Sequence, residues 1–165
     1  MDILFGKQKI TLQGNPKSVG DQVQDFSLIN NDLAPVKLSD FNEPYLLFNV
    51  VPSLDTGVCD MQTKTVNKAL NDLHHLKVIT VSNDLPFAQK RWCGNDGMAN
   101  VLTLSDYKDL EFAQEFGTLI APFRLQARAV FVLDSDRRVI YKEIVENVSN
   151  HPSYDALINF IESLK

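Results

Sequence analysis

No stretch of this sequence is long and apolar enough to cross a bilayer. The longest apolar run, Tyr45 to Val51, carries Asn49 and stops at Pro52, far short of the roughly 18 residues that a span needs. Like charges do not gather: 16 basic residues stand against 21 acidic ones, for a net charge of −5. No run of one sign could bind a polyanion, which excludes nucleic acid as a partner. Seven glycines and seven prolines are too few for a fibrous or low-complexity chain, and no repeat of fixed period occurs. The segment Met1 to Lys7 has no basic cluster, no long apolar core and no small-residue cleavage site. It does not read as a secretory signal, and a cytoplasmic address is expected. Cysteine is scarce too. Two in 165 residues exclude a disulfide scaffold and leave Cys59 and Cys93 as free, metal-bound or redox-active thiols.

What is present is an ordinary globular composition, 44% hydrophobic and 22% charged. A length of 165 predicts one domain, residues 1–165, with 1–18 as an N-terminal extension. Within that extension, Ile10 to Pro16 reads as one strand and a turn. Tyr45 to Val51 reads as a central strand covered on both faces. Val58, Gln62, Val66, Ala69 and Leu73 fall at helical spacing, which predicts a helix from near Cys59 to about His75. Lys77 to Ser82 is a second buried strand, followed by a short helix from Pro86 through about Arg91, with Cys93 at its end. Val101 to Leu104 is a brief strand and Asp109 to Phe116 a helix ended by Gly117. Arg128 to Leu133 and Val139 to Ile144 form an antiparallel hairpin, and a last helix from near Pro152 carries an apolar stripe from Tyr154 to Leu164. This order predicts an α/β domain of the thioredoxin-like kind, a central mixed sheet flanked by helices.

The segment from Pro52 to Cys59 puts a thiol directly after a strand, at the positive end of a helix, with the hydroxyl of Thr56 three residues earlier. A thiolate is the reactive form of cysteine, and helix N-termini and guanidinium groups favour it. A fall in a thiol's pKa from about 8.5 to about 6 raises the thiolate fraction at neutral pH from a few per cent to roughly nine-tenths. Asp55 and Asp60 work against this, so a cation must stand close if Cys59 reacts. His74 and His75 diverge by about 100° on a helix and His151 lies far downstream, so they do not chelate one metal. Thr56 also suits an N-cap. Trp92 and Phe87 read as packing residues.

The PxxxTxxC string of Pro52, Thr56 and Cys59 resembles the peroxidatic motif of peroxiredoxins, and its wider form from Val51 is similar to that of the bacterial thiol peroxidase subfamily. Three further segments resemble that subfamily in the same order: Val19-Gly20-Asp21 with Asp25 to Leu28, Phe87 to Cys93, and Ala127 to Asp134. The resemblance implies that Cys59 is the peroxidatic nucleophile, Arg128 its guanidinium partner, Thr56 the hydroxyl that orients peroxide, and Pro52 a screen against water. An arginine in an apolar strand needs an anionic partner, which a thiolate would supply. Cys93 is implied as the resolving thiol, forming an intramolecular disulfide with Cys59 that thioredoxin reduces, after two helix starts partly unwind. The implied substrates are hydrogen peroxide and organic hydroperoxides, the implied role is antioxidant defence without metal, haem or flavin, and a homodimer is implied as well.

Departures from the family are also legible. After Gly14-Asn15-Pro16 the chain reaches Val19 almost at once, so the second strand of the family's N-terminal hairpin is expected to be missing and the β extension reduced. Lys64 stands where the family commonly has arginine and Val66 where it has an aromatic, and a bidentate or stacked contact made by that arginine would not survive the change. Gly117 to Leu125 reads as shorter than usual. Two other classes fit the fold: a disulfide oxidoreductase, which ordinarily needs a Cys-x-x-Cys spacing absent here, and a redox-sensing interaction module.

Overall fold

The chain begins as a hairpin. In the computed structural model, which describes residues 1–95, 98 and 100–164, Asp2–Phe5 (β1) pairs antiparallel with Gln8–Thr11 (β2), Ile3 opposite Ile10. The strand expected to be missing after Gly14 therefore lies before it, and the N-terminal extension is not reduced in this respect. The turn is made by Gly6 at φ +64, where a side chain would be strained. Only Ile3 and Ile10 of the paired residues are deeply buried, which leaves too weak an alternation to read as a strand pair from sequence.

Ser27–Ile29 (β3) and Pro35–Lys37 (β4) follow as a second short hairpin. Next come Tyr45–Val50 (β5), the helix Gly57–Leu70 (α1), Leu76–Ser82 (β6) and the helix Pro86–Asn95 (α2). After them lie Thr103–Ser105 (β7), Glu111–Phe116 (α3), the two-residue strands Leu119–Ile120 (β8) and Leu125–Gln126 (β9), Ala129–Leu133 (β10), Val139–Ile144 (β11) and Tyr154–Glu162 (α4). One seven-stranded sheet has the order β11-β10-β5-β6-β7-β3-β4. The β5-β6-β7 centre is parallel and the flanks are antiparallel. It is the mixed sheet expected, with β5 inside it.

Strand period sorts the side chains into two layers. Leu46, Phe48 and Val50 of β5 share one cluster with Phe131 of β10, Ile79 of β6, and Phe112 and Phe116 of α3. Leu47, Val78, Val130 and Val132 face the other way, onto Val66 and Leu70 of α1 and Leu157 and Ile161 of α4. Val66, the departure from the family's aromatic, is thus an ordinary core residue. α1 ends at Leu70 rather than near His75: Asn71 caps it, and Leu73 reaches the same cluster from the turn beyond, which is why its spacing imitated helix. α2 runs a full turn past Arg91, so Cys93 lies inside its last turn. Gly117 ends α3 at φ +70, and a Cβ there would come within 2.4 Å of the Asn15 backbone, so only glycine lets the N-terminal segment cross at that point.

α3 has an unusual start. Its N-cap, Leu110, offers no side-chain acceptor, and the buried Asp106 carboxylate takes the amides of Phe112 at 3.0 Å and Ala113 at 2.9 Å instead. Gln126 Nε2 donates to it as well, at 2.9 Å. Burial outweighs these bonds and pushes the Asp106 carboxyl up to about 6. The folded protein then holds a proton that the unfolded chain has released, so stability should fall as pH rises from about 4 through about 6, by on the order of 2 kcal/mol. Asp106→Asn cannot titrate. Urea denaturation from pH 4 to 7 should show wild type losing that amount relative to the variant, and a constant difference would refute the raised value.

Candidate active site

The site is assembled where β5 runs out. Pro52 is buried directly after the strand, and the loop that follows is held by Asp84, beyond the end of β6. Ser53 Oγ donates to one Asp84 oxygen at 2.6 Å, and the Leu54 amide and Ser82 Oγ donate to the other at 2.8 and 2.7 Å. This anchor sets where α1 begins and so where Cys59, its third residue, sits. Sequence gives no local signal for this role, because Ser53 and Leu54 lie 31 and 30 residues from Asp84.

Cys59 is wholly buried in the first turn of α1, where backbone amides lack intrahelical acceptors and the helix dipole is positive. Arg128 NH2 stands 3.3 Å from its Sγ. The antiparallel register pairs Ala129 with Val50, so Arg128 falls opposite the strand end from which the Pro52 loop departs. The side chain is 2% exposed. Its Nε donates to the Val148 carbonyl at 2.7 Å and its NH1 to Gln62 Oε1 at 2.9 Å. Among the described residues it forms no ion pair with a carboxylate.

Thr56 occupies the N-cap position but does not cap with its side chain; its hydroxyl donates to the Ser53 carbonyl at 3.2 Å. It is exposed and lines an open, largely apolar pocket of about 300 Å³ together with Pro52, Val58, Arg128, Val148 and, from the first hairpin, Phe5 and Gly6. The hairpin thus shapes the edge of the site. It is held there by main-chain bonds from Leu4 to Glu146 and from Val148 to Leu4. The short segment after Gly117 folds as the β8-β9 hairpin, and its Phe123 packs against Phe5 with ring centroids 5.0 Å apart.

Cys93 is nearly buried in the last turn of α2, its sulfur 3.6 Å from Thr103 Oγ1 and 3.7 Å from the Val101 carbonyl. Both thiols are free and share one apolar cluster with Val51, Leu54, Trp92 and Val101. Cys93 is therefore at a helix end, and only Cys59 is at a helix start. Trp92 is more than packing: its indole N–H donates to Asp60 Oδ1 at 2.8 Å, tying α2 to the first turn of α1. The other Asp60 oxygen pairs with Lys64 at 3.0 Å, one helical turn on. The carboxylate next to Cys59 is thereby partly neutralised by Lys64. Asp55, more distant and exposed, faces Arg91 at 3.8 Å.

The Redoxin family model matches residues 18–158. A thiol peroxidase of Halalkalibacterium halodurans is 47% identical over 156 residues, 94% of each chain. One of Oceanobacillus iheyensis is 42% identical over 160 residues, 97% of this chain and 98% of its own. Among solved structures, a peroxiredoxin-like protein from Aquifex aeolicus superposes with a TM-score of 0.92 at 32% identity, covering 99% of this chain and 97% of the other.

Proposed function

The chain belongs to the redoxin family and is a thiol-dependent peroxidase within it, and from that premise we propose that Cys59 is its peroxidatic nucleophile and Cys93 its resolving thiol. One observation carries the reading: a buried guanidinium, Arg128, lies 3.3 Å from Cys59 Sγ and has no carboxylate partner among the described residues. A buried charge without a counter-ion is costly, and a thiolate removes the cost.

The Cys59 thiolate attacks one oxygen of a hydroperoxide seated in the apolar pocket. The S–O bond forms as the O–O bond breaks, and the leaving alkoxide or hydroxide takes up a proton. Charge moves from sulfur to the departing oxygen, so the Arg128 N–H groups fixed beside it stabilise the transition state more than the ground state, and the Thr56 hydroxyl joins them once it turns from the Ser53 carbonyl to the peroxide. Pro52 closes the floor against water. The apolar lining, with Phe5 at its edge, suits organic hydroperoxides as well as hydrogen peroxide. Cys93 then attacks the sulfenic acid, water leaves, and the disulfide is returned to two thiols by exchange with an external dithiol of the thioredoxin class.

Cys59 and Cys93 lie on helices beside the seven-stranded sheet, with Pro52, Thr56 and Arg128 in the segments next to its strands and helices, and we take residues 1–165 as one domain; Lys165 falls outside the described residues. No helix among the described residues is long and apolar enough to cross a membrane, and a cytoplasmic address follows from the dithiol reductant the reading needs. A homodimer belongs to the same reading and is checked by sedimentation in both redox states.

Intact mass after one equivalent of peroxide tests the scheme: loss of two hydrogens, abolished by replacing either cysteine, is the expected result. Sustained peroxide consumption with a thioredoxin system separates an enzyme from a sensor. Arg128→Met should slow the first reaction with peroxide by about 10²–10³-fold even at a pH where the thiol is fully ionised, since it removes transition-state donors as well as charge. It also strands Gln62 Oε1 and the Val148 carbonyl, at a stability cost of about 1–3 kcal/mol, so the rate is to be read well below the melting temperature. An unchanged limiting rate would make Arg128 a structural residue.

A further inference from the structure

Arg128 does not hold its pose unaided. A buried guanidinium is aimed by the acceptors around it, and the acceptor for its NH1 is an amide oxygen, Gln62 Oε1. An amide can present either end. Were Gln62 turned over, its NH2 would face the guanidinium, donor against donor. What fixes it is a second amide together with a main-chain carbonyl: Gln62 Nε2 donates to Asn49 Oδ1 at 2.7 Å and to the Val50 carbonyl at 3.4 Å. Asn49 is fixed in turn, because its Nδ2 donates to Thr63 Oγ1 at 3.1 Å and to Thr80 Oγ1 at 3.2 Å. Thr63 spends its own proton on the Cys59 carbonyl at 2.9 Å, so toward Asn49 it can only accept. Every donor thus points one way along the chain, and all four side chains are 0% exposed. They come from α1, β5 and β6.

Every member is also neutral. A carboxylate in place of Gln62 would aim the guanidinium as well, but it would take the charge. We propose that Gln62 is a positioning residue for Arg128, locked by Asn49, Thr63 and Thr80, whose neutrality leaves the guanidinium charge to the Cys59 sulfur and the incoming peroxide. This rests on reading Cys59 and Arg128 as the reacting pair.

The test uses the full chain in a Cys93→Ser background, which leaves a single thiol. Two quantities are followed: the pH midpoint of Cys59 alkylation by iodoacetamide, and the limiting first-turnover rate with peroxide. Gln62→Glu should move the midpoint up by about one pH unit and slow the limiting rate ~10-fold, because the new carboxylate competes with the thiolate for the same cation. Gln62→Met, which removes the acceptor without adding charge, should shift the midpoint less and still slow the rate several-fold. Gln89→Met is the control. Gln89 is an equally buried amide, bonded to Ser82 Oγ at 3.0 Å and the Leu104 carbonyl at 3.1 Å, off the relay; its loss should lower the melting temperature and leave the midpoint in place. If Gln62→Glu does not fold, Thr80→Val, which removes one of the two acceptors that hold the Asn49 amide, should shift both quantities in the same direction as Gln62→Met and by less. Gln62 variants that change the melting temperature but neither midpoint nor limiting rate would overturn the proposal. A parent whose Cys59 does not react with one equivalent of peroxide would overturn the reading beneath it instead.

Discussion

Cys59→Ser should reduce peroxide consumption to the background of the assay while the fold survives. A serine hydroxyl is hardly ionised near neutral pH and is a poor nucleophile toward an O–O bond. The guanidinium that favours a thiolate cannot bring the hydroxyl far enough to matter. The fold survives because the exchange is small: Ser Oγ can still accept from Arg128 NH2, and the apolar neighbours Val51 and Leu54 lose only the larger sulfur. A cost of about 1 kcal/mol is expected, the size of a modest core defect. The experiment pairs a thioredoxin-coupled peroxide assay with a thermal melt. Turnover within a few-fold of wild type in a folded Cys59→Ser would remove the assignment, and loss of turnover together with loss of the melt would say only that the site is structural.

The parts of this site that sequence could reveal are those written by period and by local motif. The near-continuous apolar run from Tyr45 to Val51, the β-branched run from Lys77 to Ser82 and the helical spacing after Cys59 were enough to place the thiol at a helix start beside two buried strands. Arg128 came through because a cation at the head of an apolar strand is expensive. The rest depends on contacts between distant segments, which carry no period. Asn49 interrupts an apolar run and Gln62 sits among apolar helix positions, and each alone looks like a flaw in the pattern. Their meaning appears only when β5, α1 and β6 bring them within hydrogen-bond reach of Arg128. Asp84, just past β6, holds the loop in front of Cys59 through Ser53 and Leu54. The hairpin of β1 and β2 is a different case. Its strands are four residues each, and its signal, Ile3 and Ile10 about a turn containing Gly6, was present but weak. α2 was expected to run only to about Arg91, with Cys93 at its end, yet it continues through Gly94, which glycine can do at a cost of about 1 kcal/mol.

Cys93→Ser should leave the first reaction with peroxide within a few-fold of wild type and stop thioredoxin-coupled turnover. No residue lining the apolar pocket comes from α2, and the donors around Cys59 do not involve Cys93. Nucleophile and transition-state support are therefore intact in the variant. The second half of the cycle is lost. A sulfenic acid on Cys59 without an internal partner offers no disulfide for a dithiol to attack, though a small thiol could still reach it and sustain slow cycling. The stranded acid should also climb more readily to sulfinic acid under excess peroxide, visible as a gain of two oxygens in intact mass. The chain carries its own reporter, since Trp92 is the single tryptophan and its indole N–H bonds Asp60 on the helix of Cys59. Trp92 is the neighbour of Cys93, so joining Cys93 to Cys59 is expected to disturb that bond, and wild type should change its tryptophan emission on oxidation while Cys93→Ser does not. Full coupled turnover in Cys93→Ser would mean that the resolving thiol comes from elsewhere, and the intramolecular disulfide would have to be abandoned even with Cys59 keeping its role.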